Sequence, residues 1–198
     1  VVLARGRGAK VWDVEGKEYY DFLSAYSAVN QGHCHPRLVR AMSEQAATLT
    51  LSSRAFFNDK LGFCERKLAT SFGYDKALMM NSGAEAVETA LKLARRWGYR
   101  RKGISPDAAK IVVFDGNFHG RTISIISFSS DPASRNDFGP YTPGFVRIPY
   151  NDVETLRRTM KDATICALLV EPIQGEAGVV VPDAGFLREC FKACHQNE

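Results

Sequence analysis

Three short stretches of the sequence hold residue types that bind anions, aromatic rings and carboxylates. The first consists of Ser82, Gly83 and Ala84, small residues at the start of a helical pattern. The free N–H groups and positive dipole end of a helix start attract phosphate, and small residues let its oxygens approach the backbone. A helix start that is simply well capped explains the same residues. The stretch is therefore a candidate phosphate site with a purely structural alternative.

The second stretch, residues 117–122, gathers an aromatic residue, a histidine and an arginine around a glycine. Phe118 can offer a flat face to a planar ring, and the guanidinium of Arg121 matches the geometry of a carboxylate. In a structural interpretation, Phe118 fills the core and Arg121 forms a surface ion pair. His119 by itself is more typical of a packed or capping histidine than of an acid or base. The stretch is thus a second candidate, for a ring and a carboxylate.

The third stretch contains two carboxylates five residues apart, Glu171 and Glu176, after an apolar run. A glutamate at the end of a buried strand must be hydrogen-bonded or paired to stay charged, so Glu171 is either structural or part of a site. Glu176 lies in a turn flanked by glycines and is free to move. A glycosidase-type acid/base pair is a further possibility, but the sequence does not set the distance that this mechanism needs.

The histidines and cysteines do not form a pattern that is typical of metal sites. His33, Cys34 and His35 lie in an extended segment with no second cluster at zinc-like spacing. Cys190 and Cys194 have the spacing of ordinary core or surface residues of a helix. The cysteines number five, an odd and widely spaced set, which favours a reducing intracellular compartment over a secreted disulfide scaffold.

The helices that must position these stretches follow from apolar periodicity. Residues 82–97 combine the capping-box pair Ser82 and Glu85 with one apolar stripe, and Gly98 is predicted to end the helix. Further helices are predicted over 36–48, 59–71 and 151–160, the last with Asn151 as its N-cap.

The strands indicate the fold class. Residues 10–14 and 17–22 flank a Glu-Gly dipeptide and predict a β-hairpin. Residues 110–114 and 165–170 are almost continuously apolar, as strands covered on both faces of a parallel sheet are, and the short run 76–80 is predicted to lead as a strand into the capped helix. This alternation predicts an α/β layered domain, in which ligands bind beyond the carboxyl ends of the strands. Residues 127–144 are predicted to form a long surface loop.

Composition excludes several classes of protein. The chain has 198 residues, of which 45% are hydrophobic and 24% charged, and this balance excludes disordered and collagen-like proteins. The net charge of +4 is small and evenly scattered, so no nucleic-acid footprint is indicated. No apolar run reaches the roughly 20 residues of a membrane helix, and the first residues are too short a run for a signal peptide. We expect neither nucleic acid nor membrane as a partner.

The three stretches, in this order, resemble the class III, fold-type I aminotransferases that use pyridoxal 5'-phosphate (PLP). Residues 21–36, 53–59 and 172–178 resemble the members of the family that act on ornithine, and the similarity runs from about Val1 to Glu198. The resemblance implies an α/β fold with a mostly parallel sheet flanked by helices. Residues 1–45 would belong to the small domain, and residues 46–198 would be the first part of the large PLP-binding domain.

The resemblance also implies a role for each candidate residue. The cofactor phosphate would be bound by Gly83 and Ala84 after Ser82, and Phe118 would stack on the pyridine ring with Glu171 near its far end. These roles follow from position in the family pattern alone.

Substrate roles follow in the same way. Tyr26 would line the ornithine side of the pocket, and Arg121 would hold a substrate carboxylate. Glu176 would pair with an arginine from the C-terminal part of the enzyme, masking it for the diamine and releasing it for the dicarboxylate. The lysine that forms the Schiff base, and the aspartate that pairs with the ring nitrogen, are expected beyond Glu198. The segment alone is therefore expected to be inactive.

The implied activity is transfer of the δ-amino group of L-ornithine to 2-oxoglutarate by a homodimer, in the mitochondrial matrix or the cytoplasm. The alternatives are a family member that acts on acetylornithine or 4-aminobutyrate, and a non-catalytic homologue that serves as a binding module. Tyr26, in its Ser-Ala-Tyr-Ser setting, favours ornithine.

Overall fold

The chain divides into two units, Val1–Ala77 and Leu78–Glu198. The computed structural model describes residues 1–53 and 55–197, so Arg54 of the 53–59 motif and Glu198 lie outside the described residues. The domain boundary expected between residues 45 and 46 stays a prediction.

The first unit contains a three-stranded antiparallel sheet and three helical segments. Its elements are β1 (Leu3–Arg7), β2 (Lys10–Asp13), β3 (Glu18–Tyr20), α1 (Ser24–Ser27), α2 (Pro36–Thr48) and α3 (Leu61–Phe72). The strand order is β1-β2-β3, and β2 and β3 form the predicted hairpin. Helix α2 has the predicted bounds, and α3 ends at Gly73, whose φ of 74° closes a helix at low steric cost. Strand β1 was not predicted.

The second unit is built around a three-stranded parallel sheet in the order β5-β4-β6. Its elements are α4 (Gly83–Trp97), a π-helical turn (Gly98–Lys102), β4 (Lys110–Phe114), α5 (Ile123–Ile126), α6 (Pro132–Arg135), β5 (Phe145–Ile148), α7 (Val153–Thr159), β6 (Ile165–Leu168) and α8 (Phe186–Gln196). The predicted strands at 110–114 and 165–170 are both present, although β6 ends two residues early. The parallel sheet and its helices confirm the predicted α/β class.

Both faces of the central strand β4 are buried. Ile111 and Val113 pack in one apolar cluster with Leu91 of α4, whereas Val112 and Phe114 pack in another with Leu156 of α7. Successive residues of a strand point to opposite faces, so each face of β4 supplies one cluster. This double burial is why the sequence of β4 shows no polar alternation.

Two elements of the sheet differ from the prediction. Residues 76–80 do not form a strand, and Leu78 and Met79 remain 69% and 44% exposed. Within residues 1–53 and 55–197 no strand pairs with this run, and a β-strand needs a partner for its backbone groups. Conversely, β5 was missed, although it is hydrogen-bonded to β4 along four residue pairs.

As predicted, α4 ends at Trp97 with Gly98 as its C-cap, but Gly98 keeps a helical φ of −52° and ψ of −46°, and the chain continues into the π-helical turn, which ends at Gly103 with φ 76°. One predicted helix start is wrong. The N-cap of α7 is Asp152, whose side chain accepts from Thr155 N–H at 2.9 Å, whereas Asn151 has φ 68°. The predicted loop 127–144 contains the short helix α6 and a buried residue, Phe128, so it lies only partly on the surface.

None of the helices described for residues 1–53 and 55–197 is long and apolar enough to cross a membrane.

Candidate active site

The carboxyl end of β4 turns into a polar loop that is held from within. Asn117 is 7% exposed, and its amide nitrogen donates to the carbonyl of Phe114 at 2.6 Å and to that of Phe128 at 3.1 Å. Gly116, with φ 75°, donates its N–H to Ser130 Oγ at 2.7 Å. These bonds satisfy backbone groups that the end of a strand leaves open, and they fix the start of the loop that contains Phe118.

The segment after β6 is tied to the same loop. The Glu171 carboxylate accepts from the Phe118 N–H at 2.9 Å, which joins residues 53 positions apart. Gln174 is buried and donates from its amide nitrogen to the carbonyl of Asp115 at 2.7 Å. The Tyr150 hydroxyl donates to the Glu171 carbonyl at 2.9 Å. The second and third candidate stretches therefore meet at the carboxyl edge of the sheet.

The start of α4 lies against this loop as well. The Ser82 hydroxyl accepts from the Glu85 N–H at 3.2 Å, and the Glu85 carboxylate accepts from the Ser82 N–H at 3.1 Å, which confirms the capping box. A Cβ on Gly120, whose φ is 124°, would come within 3.0 Å of the Ala84 Cβ. Only a glycine permits so close an approach. The first stretch thus joins the other two.

The beginning of α4 retains the capacity to bind an anion. Within residues 1–53 and 55–197, no acceptor meets the N–H groups of Gly83 and Ala84. The space beside Gly83 is open, because a Cβ built there would meet nothing within 4 Å. The Glu85 carboxylate accepts from the N–H groups of Asn81 and Ser82, and the Ser82 hydroxyl accepts from that of Glu85. Capping and anion binding are therefore compatible at this helix.

A cavity of about 220 Å³ lies where the loop and the segment after β6 meet. Three of the candidate residues, Phe118, Arg121 and Glu176, line it together with residues of the 116–134 region and Ala177. Phe118 is 38% exposed and so does not fill the core. The Arg121 guanidinium lies 5.9 Å from the centre of the Phe118 ring, and it forms no ion pair within the described ranges. A cation of this kind at a cavity wall can bind a carboxylate.

His119 also lines this cavity. Its Nε2 atom is buried and has no hydrogen-bond partner among the described residues, and its ring centre is 6.0 Å from that of Phe128. Burial lowers the pKa of His119, and the nearby Glu171 carboxylate opposes that effect. The imidazole is therefore neutral at neutral pH. The structure agrees with its interpretation as a packed histidine.

Tyr26 is the one candidate that belongs to the first unit. It lies in α1 with a left-handed φ of 57° and is 76% exposed. Its predicted role toward ornithine therefore stays a prediction.

In the segment from His33 to His35, the His33 Nε2 atom lies 2.6 Å from the Asp21 carboxylate. No metal-binding cluster occurs in the described part of the chain.

The cysteines of α8 lie outside the cavity. Cys190 is buried in the core, where burial and then the neighbouring Cys194 raise the pKa of its thiol to about 11. A thiol with this pKa is almost wholly protonated at neutral pH and is a poor nucleophile. The interpretation of Cys190 as a core residue is confirmed.

Three residues that hold the site together were missed from the sequence: Asn117, Tyr150 and Gln174. Asn117 and Gln174 belong to the second and third stretches, so the sequence indicates their positions. Their roles were missed because residue type does not distinguish a buried amide from an exposed one. Tyr150 is an unremarkable residue after β5, a strand that was itself missed.

The chain matches a known protein family over its whole length. The family model described as aminotransferase class-III matches residues 1–198. The mitochondrial ornithine aminotransferase of Rattus norvegicus is 55% identical over 198 residues, which cover 100% of this chain and 45% of the relative.

Solved structures of aminotransferases superpose on the whole chain. The crystal structure of the ornithine aminotransferase from Toxoplasma gondii ME49 superposes with a TM-score of 0.98 at 50% identity, covering 100% of this chain and 47% of that one. The acetylornithine aminotransferase from Elizabethkingia anophelis has a TM-score of 0.85 and 60% identity, covering 100% and 48%. The chain thus spans about half the length of the relatives that it matches.

Proposed function

The chain belongs to the class III aminotransferases, and on this premise we propose that the complete protein transfers the δ-amino group of L-ornithine to 2-oxoglutarate. The products are glutamate-5-semialdehyde and glutamate. The observation that carries the proposal is the meeting of three distant stretches at the carboxyl edge of the sheet, where Phe118 binds Glu171 and Gly120 touches Ala84. The names of the rat and Toxoplasma relatives support ornithine as the substrate.

PLP is the cofactor that these residues fit. The open N–H groups of Gly83 and Ala84, with Ser82 as their cap, offer a phosphate site, and Phe118 offers an exposed aromatic face in the loop that touches this helix start. When bound, PLP would supply an electron-withdrawing ring and an aldehyde carbon on which the amino group is held between substrates. Glu171 holds the backbone of Phe118 in place, and we assign it a position near the ring.

The substrate residues take separate roles. Arg121, a cation without an ion pair in the described part of the chain, binds a substrate carboxylate at the cavity wall. Glu176, exposed in a glycine-flanked turn, masks an arginine of the complete protein while ornithine is bound and moves away for glutamate. Tyr26 contacts the ornithine side chain.

A second candidate substrate is N-acetylornithine. The observation that favours it is the 60% identity to the Elizabethkingia acetylornithine aminotransferase, which exceeds the 50% identity to the Toxoplasma enzyme. The two substrates differ at the α-amino group, which is free in ornithine and acylated in acetylornithine. We retain ornithine because Tyr26 stands in the Ser-Ala-Tyr-Ser setting.

We further propose that the complete protein is an intracellular homodimer, in the mitochondrial matrix or the cytoplasm. Large apolar side chains that stay exposed in the first unit, among them Phe22 and Phe57 at 95% and 105%, support a covering partner.

The test is a donor assay with the complete, PLP-loaded protein. Ornithine, N-acetylornithine and 4-aminobutyrate are each supplied with 2-oxoglutarate, and glutamate is measured. We expect the highest kcat/KM with ornithine. A preference for N-acetylornithine would select the second candidate, and no transfer from any donor would support a binding module.

An Arg121→Ala variant tests the carboxylate site. Loss of a charge-assisted contact worth about 1.5 to 3 kcal/mol should lower kcat/KM about 10- to 150-fold. Arg158→Ala, which removes an exposed arginine of α7, is the control and should leave kcat/KM unchanged.

A further inference from the structure

Residues 21–33 form a loop whose two ends are fixed to the same turn of the antiparallel sheet. The N–H of Asp21 donates to the carbonyl of Ala9 at 2.9 Å. Gly8 and His33 exchange two backbone hydrogen bonds, each of 2.9 Å. The loop that contains Tyr26 therefore begins and ends on residues 8–9.

The centre of this loop is strained. Four consecutive residues have left-handed φ values: Ser24 at 50°, Ala25 at 48°, Tyr26 at 57° and Ser27 at 66°. None is glycine, so in each the Cβ approaches the following carbonyl oxygen, which makes this conformation unfavourable. Such a run persists only where surrounding contacts impose it, and strain of this kind concentrates at functional sites.

The side chain of Asp21 supplies these contacts at the entry to the strained run. Its Oδ1 accepts from the Leu23 N–H at 3.0 Å and from the Ser24 N–H at 2.8 Å. Its Oδ2 lies 2.6 Å from His33 Nε2. The hydrogen bond with His33, followed by that from Ser24, lowers the pKa of Asp21, so the carboxylate is charged at neutral pH.

His33 is itself held in position. A Cβ on Gly6 would lie 2.7 Å from the His33 Cγ, so only glycine leaves room for the imidazole at the end of β1. The backbone bonds to Gly8 fix the residue from its other side. Asp21 is thus bound to the strained turn at one oxygen and to a fixed imidazole at the other.

We infer that Asp21 is a positioning residue that, anchored by His33, holds the left-handed turn in the conformation that presents Tyr26 to ornithine. This inference rests on the proposed function, in which Tyr26 contacts the ornithine side chain. Asp21 acts on the substrate only through the turn. Because Tyr26 is assigned to the ornithine side of the pocket, removing the Asp21 carboxylate should affect the reaction of ornithine more than that of glutamate.

The chain offers a matched control for this experiment. The Asp13 carboxylate also accepts from two backbone N–H groups, those of Glu15 at 3.0 Å and Lys17 at 2.9 Å, and from one side chain, the Tyr19 hydroxyl at 2.8 Å. It belongs to the same unit but to the hairpin turn rather than to the Tyr26 loop. Asp13→Ala therefore removes an equivalent set of bonds at another place.

The first experiment compares single-turnover rates of the complete PLP-loaded protein with ornithine and with glutamate. Asp21→Ala should lower the ratio of ornithine to glutamate kcat/KM by about tenfold or more. Asp21→Asn, which keeps an oxygen for Leu23 and Ser24, should recover part of the ratio, and Asp13→Ala should not change it. In a Tyr26→Ala background, Asp21→Ala should lower the ratio no further. An Asp21→Ala protein with the ratio of the wild type, or equal effects of both alanine variants, would overturn the inference.

A second measurement does not depend on the substrate. Hydrogen exchange of the Val29 amide, which bonds to the Ser24 carbonyl at 3.0 Å, should accelerate in Asp21→Ala and not in Asp13→Ala. If the wild type does not use ornithine, the proposed function fails while this measurement still decides whether Asp21 holds the turn. Unchanged exchange at Val29 would show that it does not.

Discussion

At the scale of single residues, the backbone of Phe118 is fixed by a hydrogen bond while its side chain stays partly exposed. Glu171 fixes the N–H, while 38% of the residue remains accessible at the cavity. An aromatic residue in this position can be tested for stacking because its side chain contributes little to the core. Arg121 and Glu176 line the same cavity and are also exposed, and they carry opposite charges.

Phe118→Ala in the complete protein should speed PLP dissociation about fivefold. The lost stacking is worth on the order of 1 kcal/mol beyond area burial, and affinity differences of this kind are expressed mainly in the dissociation rate. The rate is measured by the loss of visible absorbance after dilution into apo-protein trap. Phe191→Ala, at an exposed phenylalanine of α8, is the control. Unchanged PLP retention would return Phe118 to a structural role.

Glu176→Ala should favour glutamate over ornithine as amino donor. Without Glu176, the arginine that we propose it masks would stay available to the second carboxylate of glutamate and would draw ornithine into the wrong orientation. The ratio of the two half-reactions should shift by about one to two orders of magnitude if masking is worth about 1.4 to 3 kcal/mol. Single-turnover kinetics with each donor, and Glu154→Ala as a surface control, measure the shift. Equal slowing of both half-reactions would contradict the masking role.

At the scale of elements, the glycine that caps α4 is needed for packing against the sheet. A Cβ on Gly98 would lie 2.7 Å from the Cys166 Cβ and 3.2 Å from the Ile104 Cδ1. Gly98 is therefore required for close contact between the helix end and β6. The helix continues past it as a π-helical turn until Gly103 closes the segment.

Gly98→Ala should lower the free energy of unfolding by about 1 to 3 kcal/mol, because overpacking forces the strand or the helix to move. Gly62→Ala is the matched control, since Gly62 lies inside α3 with nothing within 4 Å of its missing Cβ. That substitution should be neutral or raise the free energy of unfolding by up to about 1 kcal/mol. Urea unfolding of both variants gives the comparison, and equal stabilities would count against the packing role of Gly98.

At the scale of the whole molecule, the two units differ in how well they bury apolar side chains. The second unit encloses two apolar clusters on the faces of its sheet. In the first unit the predicted apolar stripe of α2 stays open, with Leu38, Val39 and Met42 at 50%, 48% and 73% exposed.

Folding stability should fall as the pH decreases below about 6.5, and His119 should contribute to that loss. Burial places the folded pKa of His119 below its ordinary value of 6.5. As the pH falls, the unfolded chain therefore binds the proton first, and between the two pKa values this binding stabilises the unfolded state relative to the folded state. The stabilising effect of the neutral imidazole is complete above pH 6.5. His119→Gln should therefore lose less stability between pH 7.5 and about 5.5 than the wild type, in chemical unfolding at each pH. The same substitution at the exposed His195 should leave the difference unaltered, and identical losses in wild type and His119→Gln would refute this role.

Much of the second unit and of the site could be predicted from the sequence. The capped helix α4, the two apolar strands and the residue types of the three stretches all follow from patterns within a few residues. The errors share a cause. The run 76–80 has no partner strand among the described residues, and the side chain of Asn151, the predicted cap of α7, instead accepts from the Asp183 N–H at 3.0 Å, so each outcome depends on residues that are distant in sequence.

The sequence by itself determined what local bonds and periodicity can determine. The capping box joins Ser82 and Glu85, which are three positions apart, and the double burial of β4 is visible in its apolar run. Only the tertiary structure decided that the Phe118 N–H meets the Glu171 carboxylate and that Gly120 touches Ala84. These contacts join residues 53 and 36 positions apart. The first exists because β4 and β6 pair in parallel, which brings their carboxyl ends to one edge, and the second because α4 packs on a face of the same sheet. No local pattern records which elements will be neighbours.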